Sequence, residues 1–178
     1  MEFQILYAIN KLHNIILDNV MVIITKLGNA GWVWIVLAVI LMAYKKTRKC
    51  GILMLISLLT GLLIGNVALK NIIARQRPCW IDPNIILLIP NPTDFSFPSG
   101  HTLASFEAAT MIFLHNKKYG TLALSLAILI AFSRLYLFVH FPTDILGGAI
   151  LGTAISIGVY QIDKFLTNKI SINTGKKE

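Results

Sequence analysis

Four apolar runs, over residues 23–44, 50–69, 119–139 and 145–162, each approach the length of about 20 residues that a helix needs to cross a bilayer. A soluble domain of 178 residues buries one core and cannot also hide four such segments from water. With 56% apolar and only 13% charged residues, the chain reads as an integral membrane protein. A fifth run, 101–114, is shorter and follows a Pro- and Asn-rich stretch, residues 75–98, the one candidate for a substantial extramembrane loop. The expected fold class is all-α: a polytopic membrane helical bundle of five spans, forming a single domain over residues 1–178.

Ahead of these spans, Phe3, Leu6, Ile9, Leu12, Ile16 and Val20 recur at helical spacing, interrupted by Lys11, His13, Asn14 and Asp18. The pattern predicts an N-terminal amphipathic helix at the interface. The alternative is a sixth span, which would require partners for Lys11 and Asp18 inside the membrane. No basic region, apolar stretch and small-residue site mark a cleavable signal.

The net charge of +8 raises nucleic acid as a partner, but the basic residues lie between apolar runs, with no basic arm or aromatic-rich groove, so none is expected. Topology explains them better. Lys45, Lys46, Arg48 and Lys49, then Lys117 and Lys118, then Lys164, Lys169, Lys176 and Lys177 all fall on one side of the five spans. The positive-inside rule makes that side cytoplasmic and puts residues 75–98 and the 138–143 turn on the outer face of the cell membrane. Trp32, Trp34, Trp80, Phe138 and Phe141 are then expected at the outer interface, and Tyr44, Tyr119 and Tyr160 at the inner one. Cys50 and Cys79 flank a span and cannot pair. Gly61/Gly65 and Gly148/Gly152 predict close helix packing.

Polar residues at a membrane mouth need partners or work, and the outer ends of the spans collect Lys70, Arg75, Arg77, Ser99, Gly100, His101, Ser133, Arg134, His140 and Asp144. Three of the four arginines are in that set. The guanidinium fork matches phosphate oxygens, whereas the cytoplasmic clusters are mostly lysine, so the distribution points to an anionic ligand. Ser99 fits the N-cap of the helix that follows, aiming the free N–H groups of Gly100, His101 and Thr102 at one point; simple turn chemistry is the alternative. Pro142 suits the first turn of the last span, where Asp144 can accept a hydrogen bond from one nitrogen of His140 and leave the other free to attack. The same His and Asp, with His101, could instead ligate a metal, although the surrounding cations repel a divalent ion.

Lys70-x6-Arg77-Pro78, Pro98-Ser99-Gly100-His101 and Ser133-Arg134-x5-His140-x3-Asp144 together resemble the three-part signature of the type 2 phosphatidic acid phosphatase superfamily. The resemblance implies that Lys70, Arg77, Arg134, Ser99 and the Gly100 amide hold phosphate oxygens. It implies His140 as nucleophile, Asp144 as its orienting acid, His101 as general acid, and no metal cofactor. Arg75 matches a basic position common in the first motif and is carried as an additional phosphate contact. Glu107 is expected to serve the bundle, His13 and His115 to be surface or interfacial, and Asp82 and Asp94 to shape the loop, meet its arginines or contact a head group.

The expected activity is removal of a terminal phosphate, through a phosphohistidine, from a lipid phosphate or lipid pyrophosphate at the outer leaflet of the plasma membrane. Undecaprenyl pyrophosphate leads; phosphatidylglycerol phosphate and phosphatidate are close alternatives, because the motifs read phosphate and not the tail. A non-enzymatic lipid-phosphate or anion carrier is the competing class, but the internal repeats and broken midplane helices of carriers are not evident.

Overall fold

A computed structural model describes the backbone of residues 1–174 and the side chains of residues 1–169. Among these, the chain contains no strand and runs α1 (Glu2–Asn10), α2 (Ile15–Leu27), a 3-10 turn (Asn29–Gly31), α3 (Trp32–Ala43), α4 (Arg48–Gly61), a π-helical stretch (Leu62–Leu69), α5 (Lys70–Ile73), α6 (Pro78–Ile81), α7 (Gly100–His115), α8 (Lys117–Tyr136) and α9 (Pro142–Thr174). Lys176 and Lys177 of the basic tail lie outside the described residues. Three helical stretches, Arg48–Ile81, Lys117–Tyr136 and Pro142–Lys169, are long and apolar enough to cross a membrane, and α2 with α3 add a fourth when taken as one bent span. Val39, Leu63, Leu122, Ile128 and Ile150 are exposed around the bundle, an aliphatic surface that hydrocarbon solvates and water does not. The chain is a multi-pass membrane protein.

The centre of the bundle is α7. Its 16 residues rise only about 24 Å at 1.5 Å each, short of the roughly 30 Å hydrocarbon core. It carries nine buried residues because protein surrounds it: α4, α8 and α9 all pack on it. That is why a segment holding His101, Ser105 and Glu107 can stand in the middle of a membrane protein.

Both glycine pairs serve this packing. A β-carbon on Gly148 would come within 2.9 Å of the Ser99 carbonyl oxygen, and one on Gly152 within 2.6 Å of the Leu103 carbonyl oxygen, so α9 lies backbone-to-backbone against α7. Gly61 and Gly65 face Glu107 and Leu103 of the same helix. Glu107 is accordingly a bundle residue, buried at the crossing of α4, α7 and α9.

At the N-terminus the structure corrects the sequence reading. The single amphipathic helix expected over the first twenty residues is two helices, because Asn14 caps α2: its Oδ1 accepts from the N–H groups of Ile16 at 3.2 Å and Leu17 at 3.0 Å. Apolar spacing persists through that turn, so periodicity alone conceals it. His13 pairs with Asp18 at 2.9 Å and stacks on Tyr136. The run over 23–44 is likewise interrupted, by a 45° bend at the Asn29–Gly31 turn, where Ala30 and Gly31 take φ of +49° and +67°. The Gly28-Asn29-Ala30-Gly31 sequence is turn chemistry inside an apolar run.

The outer aromatic belt is also corrected. Trp34 is buried and donates its indole N–H to Ser105 at 3.0 Å. Phe138 and Phe141 are buried beneath α1, which lays Phe3, Leu6 and Tyr7 over them. Tyr44 and Tyr119 are exposed at the opposite end of the helices. There Lys49 of α4 pairs with Asp163 of α9 at 2.7 Å.

Candidate active site

Three chain segments converge at the end of the bundle where α7 and α9 begin. The first leaves the π-helical stretch, a geometry that wide helices adopt at functional sites, and enters α5 with Lys70 buried. Ala74 turns left-handed and ends the helix, and Arg77 follows, extended, just before Pro78 opens α6. The loop then returns, the Ser96 N–H donating to the Arg75 carbonyl at 2.8 Å, so that Asp94, Phe95 and Ser96 lie along Arg77.

The second segment is the start of α7. Ser99 is its N-cap: its Oγ accepts from the Thr102 hydroxyl at 3.0 Å and, at a longer 3.5 Å, from the Thr102 N–H. The Ser99 N–H donates to the Asp144 carbonyl at 3.1 Å, tying the start of α7 to the start of α9. His101 follows in the first turn, its Nε2 bonded to Asn29 Oδ1 at 2.9 Å, which places the bend of the first span directly against it.

The third segment is the tight turn between α8 and α9, with Phe138 at φ +57°. It buries His140 almost completely. Nδ1 of His140 faces Asp144 Oδ2 at 3.4 Å, and Nε2 lies 3.0 Å from Nη1 of Arg77. Since a guanidinium only donates, Nε2 is the unprotonated nitrogen and Nδ1 carries the proton. Burial, then the charges of Arg77, Arg134 and Lys70, push the His140 pKa well below the ordinary histidine value, so its ring is neutral at physiological pH. A neutral imidazole with a fixed tautomer and a lone pair turned toward cations is a nucleophile's arrangement.

Asp144 is held on every side. Its Oδ2 accepts from the Phe141 N–H at 2.7 Å and from Ser96 Oγ, and its Oδ1 accepts from Arg75 Nη1 at 2.7 Å. Arg75 reaches back in turn to Glu2 Oε2 at 2.6 Å and lies 4.2 Å over the Phe141 ring. Arg134, buried, donates through Nη1 to Thr25 at 2.5 Å, while its Nε has no hydrogen-bond partner among the described residues.

Lys70, Arg77, Ser99, Gly100, His101, Arg134, His140 and Asp144 are thus brought together by four helices, α5, α7, α8 and α9, and the loops that lead into them. A sequence model of the PAP2 superfamily matches residues 49–167, two thirds of the chain and all of these positions. The chain belongs to the PAP2 superfamily. It is similar to the undecaprenyl-diphosphatase of Sulfolobus acidocaldarius, 38% identical over 149 residues, which are 83% of this chain and 71% of the relative. It is 30% identical to the undecaprenyl-diphosphatase BcrC of Bacillus subtilis over 93% of this chain and 86% of that one. Among solved structures it resembles the PAP2 type phosphatidylglycerolphosphate phosphatase from Bacillus subtilis, with a TM-score of 0.74 and 31% identity over 90% of this chain and 83% of that one. As a PAP2 protein it is a membrane lipid phosphatase.

Arg75, carried from the sequence as an additional phosphate contact, here holds Asp144: its Nη1 donates to Asp144 and to the Thr143 hydroxyl, its Nη2 to Glu2, and its guanidinium lies over the Phe141 ring. Asp94 meets an arginine, as expected, and a lysine too: its Oδ1 accepts from Arg77 Nη2 at 2.7 Å and its Oδ2 binds Lys70 Nζ. Asp82 instead accepts from the Tyr7 hydroxyl at 2.7 Å and anchors α1. Residues missed in the sequence are Glu2, Thr25, Asn29 and Ser96. Each acts through long-range contact, and only the Asn29 turn has a local signature.

From the cations a cavity of about 570 Å³ runs between the bend of the first span, α4 and α7. Asn66, Lys70, Asp94 and Gly100 line its polar end; Leu55, Leu58, Leu62, Leu103 and Ala104 line the rest. Among the described residues no group of three His, Cys, Asp or Glu side chains is placed to hold a metal ion.

Proposed function

We propose that this PAP2 protein removes the terminal phosphate of a lipid diphosphate or lipid phosphomonoester at the outer face of the plasma membrane, with His140 Nε2 as nucleophile. The bundle crosses the bilayer five times, counting α2 and α3 as one broken span and α7 as another, with α1 lying on the outer surface. Lys164 and Lys169 of α9, with Lys45, Lys46, Arg48 and Lys49 around the start of α4 and Lys117 and Lys118 at the start of α8, support the cytoplasmic assignment of the other end.

In this mechanism Lys70, Arg77, Arg134 and the free N–H groups at the start of α7, that of Gly100 included, take the phosphate oxygens, with Ser99 fixing that helix start. The His140 Nε2 lone pair forms an N–P bond as the P–O bond to the leaving group breaks. His101, protonated once the phosphate dianion is seated beside it, donates its Nδ1 proton to the departing oxygen, its Nε2–H remaining on Asn29. Asp144 stabilises the positive charge that develops on the imidazole. Water then attacks phosphorus, returns a proton to His101, and releases inorganic phosphate with His140 neutral again. For a diphosphate, the leaving group is the lipid monophosphate.

The observation that carries the proposal is the geometry of His140, Nδ1 toward Asp144 and Nε2 toward Arg77; an apolar groove suited to a lipid chain, with Lys70, Asp94 and Gly100 at its polar end, supports it. Undecaprenyl diphosphate is the first substrate to test, from the names of the relatives cited above, and phosphatidylglycerol phosphate the second. A carrier has no need of an oriented, neutral histidine among cations. The test is phosphate release from a panel of purified lipid phosphates and diphosphates in detergent, with EDTA present. Turnover that persists in EDTA and is blocked by vanadate, which copies the trigonal bipyramidal transition state, supports the proposal. Loss of turnover on chelation, restored by a divalent metal, contradicts it.

A further inference from the structure

Two of the five hydrogen bonds of Arg77 go to one residue, Asp94, that no step of the phosphatase mechanism uses; the others go to the Val139 and Phe95 carbonyls and to His140. Arg77 Nε donates to the Asp94 backbone carbonyl at 2.7 Å and Arg77 Nη2 to Asp94 Oδ1 at 2.7 Å, while Asp94 Oδ2 binds Lys70 Nζ. The carboxylate therefore spans two of the three cations assigned to the phosphate. The side chains of Lys70 and Arg77 are only 7% and 2% exposed, whereas that of Asp94 is 55% exposed. It stands at the opening, between the cations and the outside, and it also lines the polar end of the apolar groove. The backbone bond from Arg77 Nε fixes the loop independently of the carboxylate, so the side chain can rotate outward without the loop moving.

We propose that the Asp94 carboxylate is a built-in occupant of the phosphate seat that sets a charge threshold for substrates. Dianionic phosphomonoesters and diphosphates displace it; monoanionic phosphodiesters do not. This rests on the assignment of Lys70 and Arg77 as phosphate ligands.

The physical need is plain at a membrane mouth. Bilayer phospholipids are phosphodiesters, each a monoanion with two free oxygens, present around the site in large excess over any minor substrate. Open cations would bind them continually. A tethered carboxylate has the same single charge and the same two free oxygens as a phosphodiester anion and holds the advantage of intramolecular concentration. A phosphomonoester brings a charge of about −1.5 to −2 and three oxygens, enough to engage Lys70, Arg77 and the free Nε of Arg134 together. Burial tends to raise the Asp94 pKa, but Lys70 and Arg77 outweigh it and lower it to about 2, so the occupant is charged throughout the working range.

The test compares wild type, Asp94→Asn and Asp82→Asn, the last removing a loop carboxylate of equal charge that touches neither cation. Orthovanadate binding is measured by calorimetry, which needs no turnover. Phosphatidylglycerol is then titrated into mixed micelles containing substrate. Asp94→Asn is expected to bind vanadate about tenfold or more tightly, the scale of one charge-assisted contact, and to become competitively inhibited by phosphatidylglycerol. Wild type and Asp82→Asn are expected to be indifferent to that lipid. Unchanged vanadate affinity in Asp94→Asn, equal tightening in Asp82→Asn, or inhibition of wild type by phosphatidylglycerol each overturns the proposal, and the last requires no variant to fold. Tightened vanadate binding in a protein that hydrolyses no lipid phosphate would instead overturn the phosphatase mechanism and leave the occupant in place.

Discussion

Replacing Arg75 by Ala separates the two roles open to a basic residue in this motif. In the structure Arg75 Nη1 donates to Asp144 Oδ1 at 2.7 Å, and Asp144 faces Nδ1 of His140. Removing the guanidinium leaves Asp144 held by Ser96 and the Phe141 N–H, buried with one carboxylate oxygen unpaired. A hydrogen bond to a charged group contributes about 1.5–3 kcal/mol, so kcat is expected to fall about 10- to 150-fold. The binding cations are untouched, so KM and the vanadate inhibition constant are expected to stay within about threefold of wild type, under 1 kcal/mol. Arg77→Ala is expected to raise both sharply. The assay is steady-state phosphate release in mixed micelles across a substrate series, with vanadate inhibition measured on the same preparations. If Arg75→Ala raises KM and the vanadate constant in parallel while kcat holds, Arg75 sits on phosphate and the contacts described here do not govern catalysis.

Other outcomes follow from single contacts. Glu2→Gln weakens the far end of the same chain, and its kcat is expected to fall less than that of Arg75→Ala, because Arg75 keeps Asp144 and Phe141. With its pKa depressed, His140 is neutral at pH 6, so an NMR titration of its ring is expected to show no transition near 6.5; a midpoint there would contradict the burial and charge argument. Gly152→Leu drives a side chain into the Leu103 backbone and is expected to abolish folding or cost about 3 kcal/mol, whereas Gly158→Ala, with nothing within 4 Å, is expected to raise the thermal unfolding temperature in detergent slightly. If the loop between α6 and α7 faces outward as proposed, Ile86→Cys is expected to react with an impermeant thiol reagent on intact cells and Tyr44→Cys only after permeabilisation, over a low background because both native cysteines are buried.

The bundle was legible because hydrocarbon imposes length and composition on each span, and the three motifs because phosphate chemistry demands particular residues. What the sequence concealed was of two kinds. Local capping at Asn14 and the turn at Asn29–Gly31 are hidden inside apolar periodicity that runs straight through them. The partners of Asp144, Arg75 and Arg134 lie far away in the chain: Arg75 is 69 residues from Asp144, Glu2 is 73 from Arg75, and Thr25 is 109 from Arg134. No spacing rule reaches that far. Trp34, Phe138 and Phe141 read as belt residues because aromatic side chains at a span end suit an interface; α1 and α7 cover them instead. Arg75 shows the same limit at the site, since a basic residue two positions from Arg77 looks like a phosphate ligand until the fold brings Asp144 beside it.

The central claim is that His140 Nε2 bonds to phosphorus. Its most direct test is rapid quenching under alkaline conditions of a His101→Ala protein mixed with excess lipid diphosphate, followed by mass spectrometry of the peptide containing His140. With the residue that handles the leaving group's proton and activates water removed, an acid-labile phosphate on His140 is expected to accumulate, and to be absent from His140→Ala. Phosphate release near the wild-type rate from His140→Ala, or labelling at any other residue, would contradict the claim.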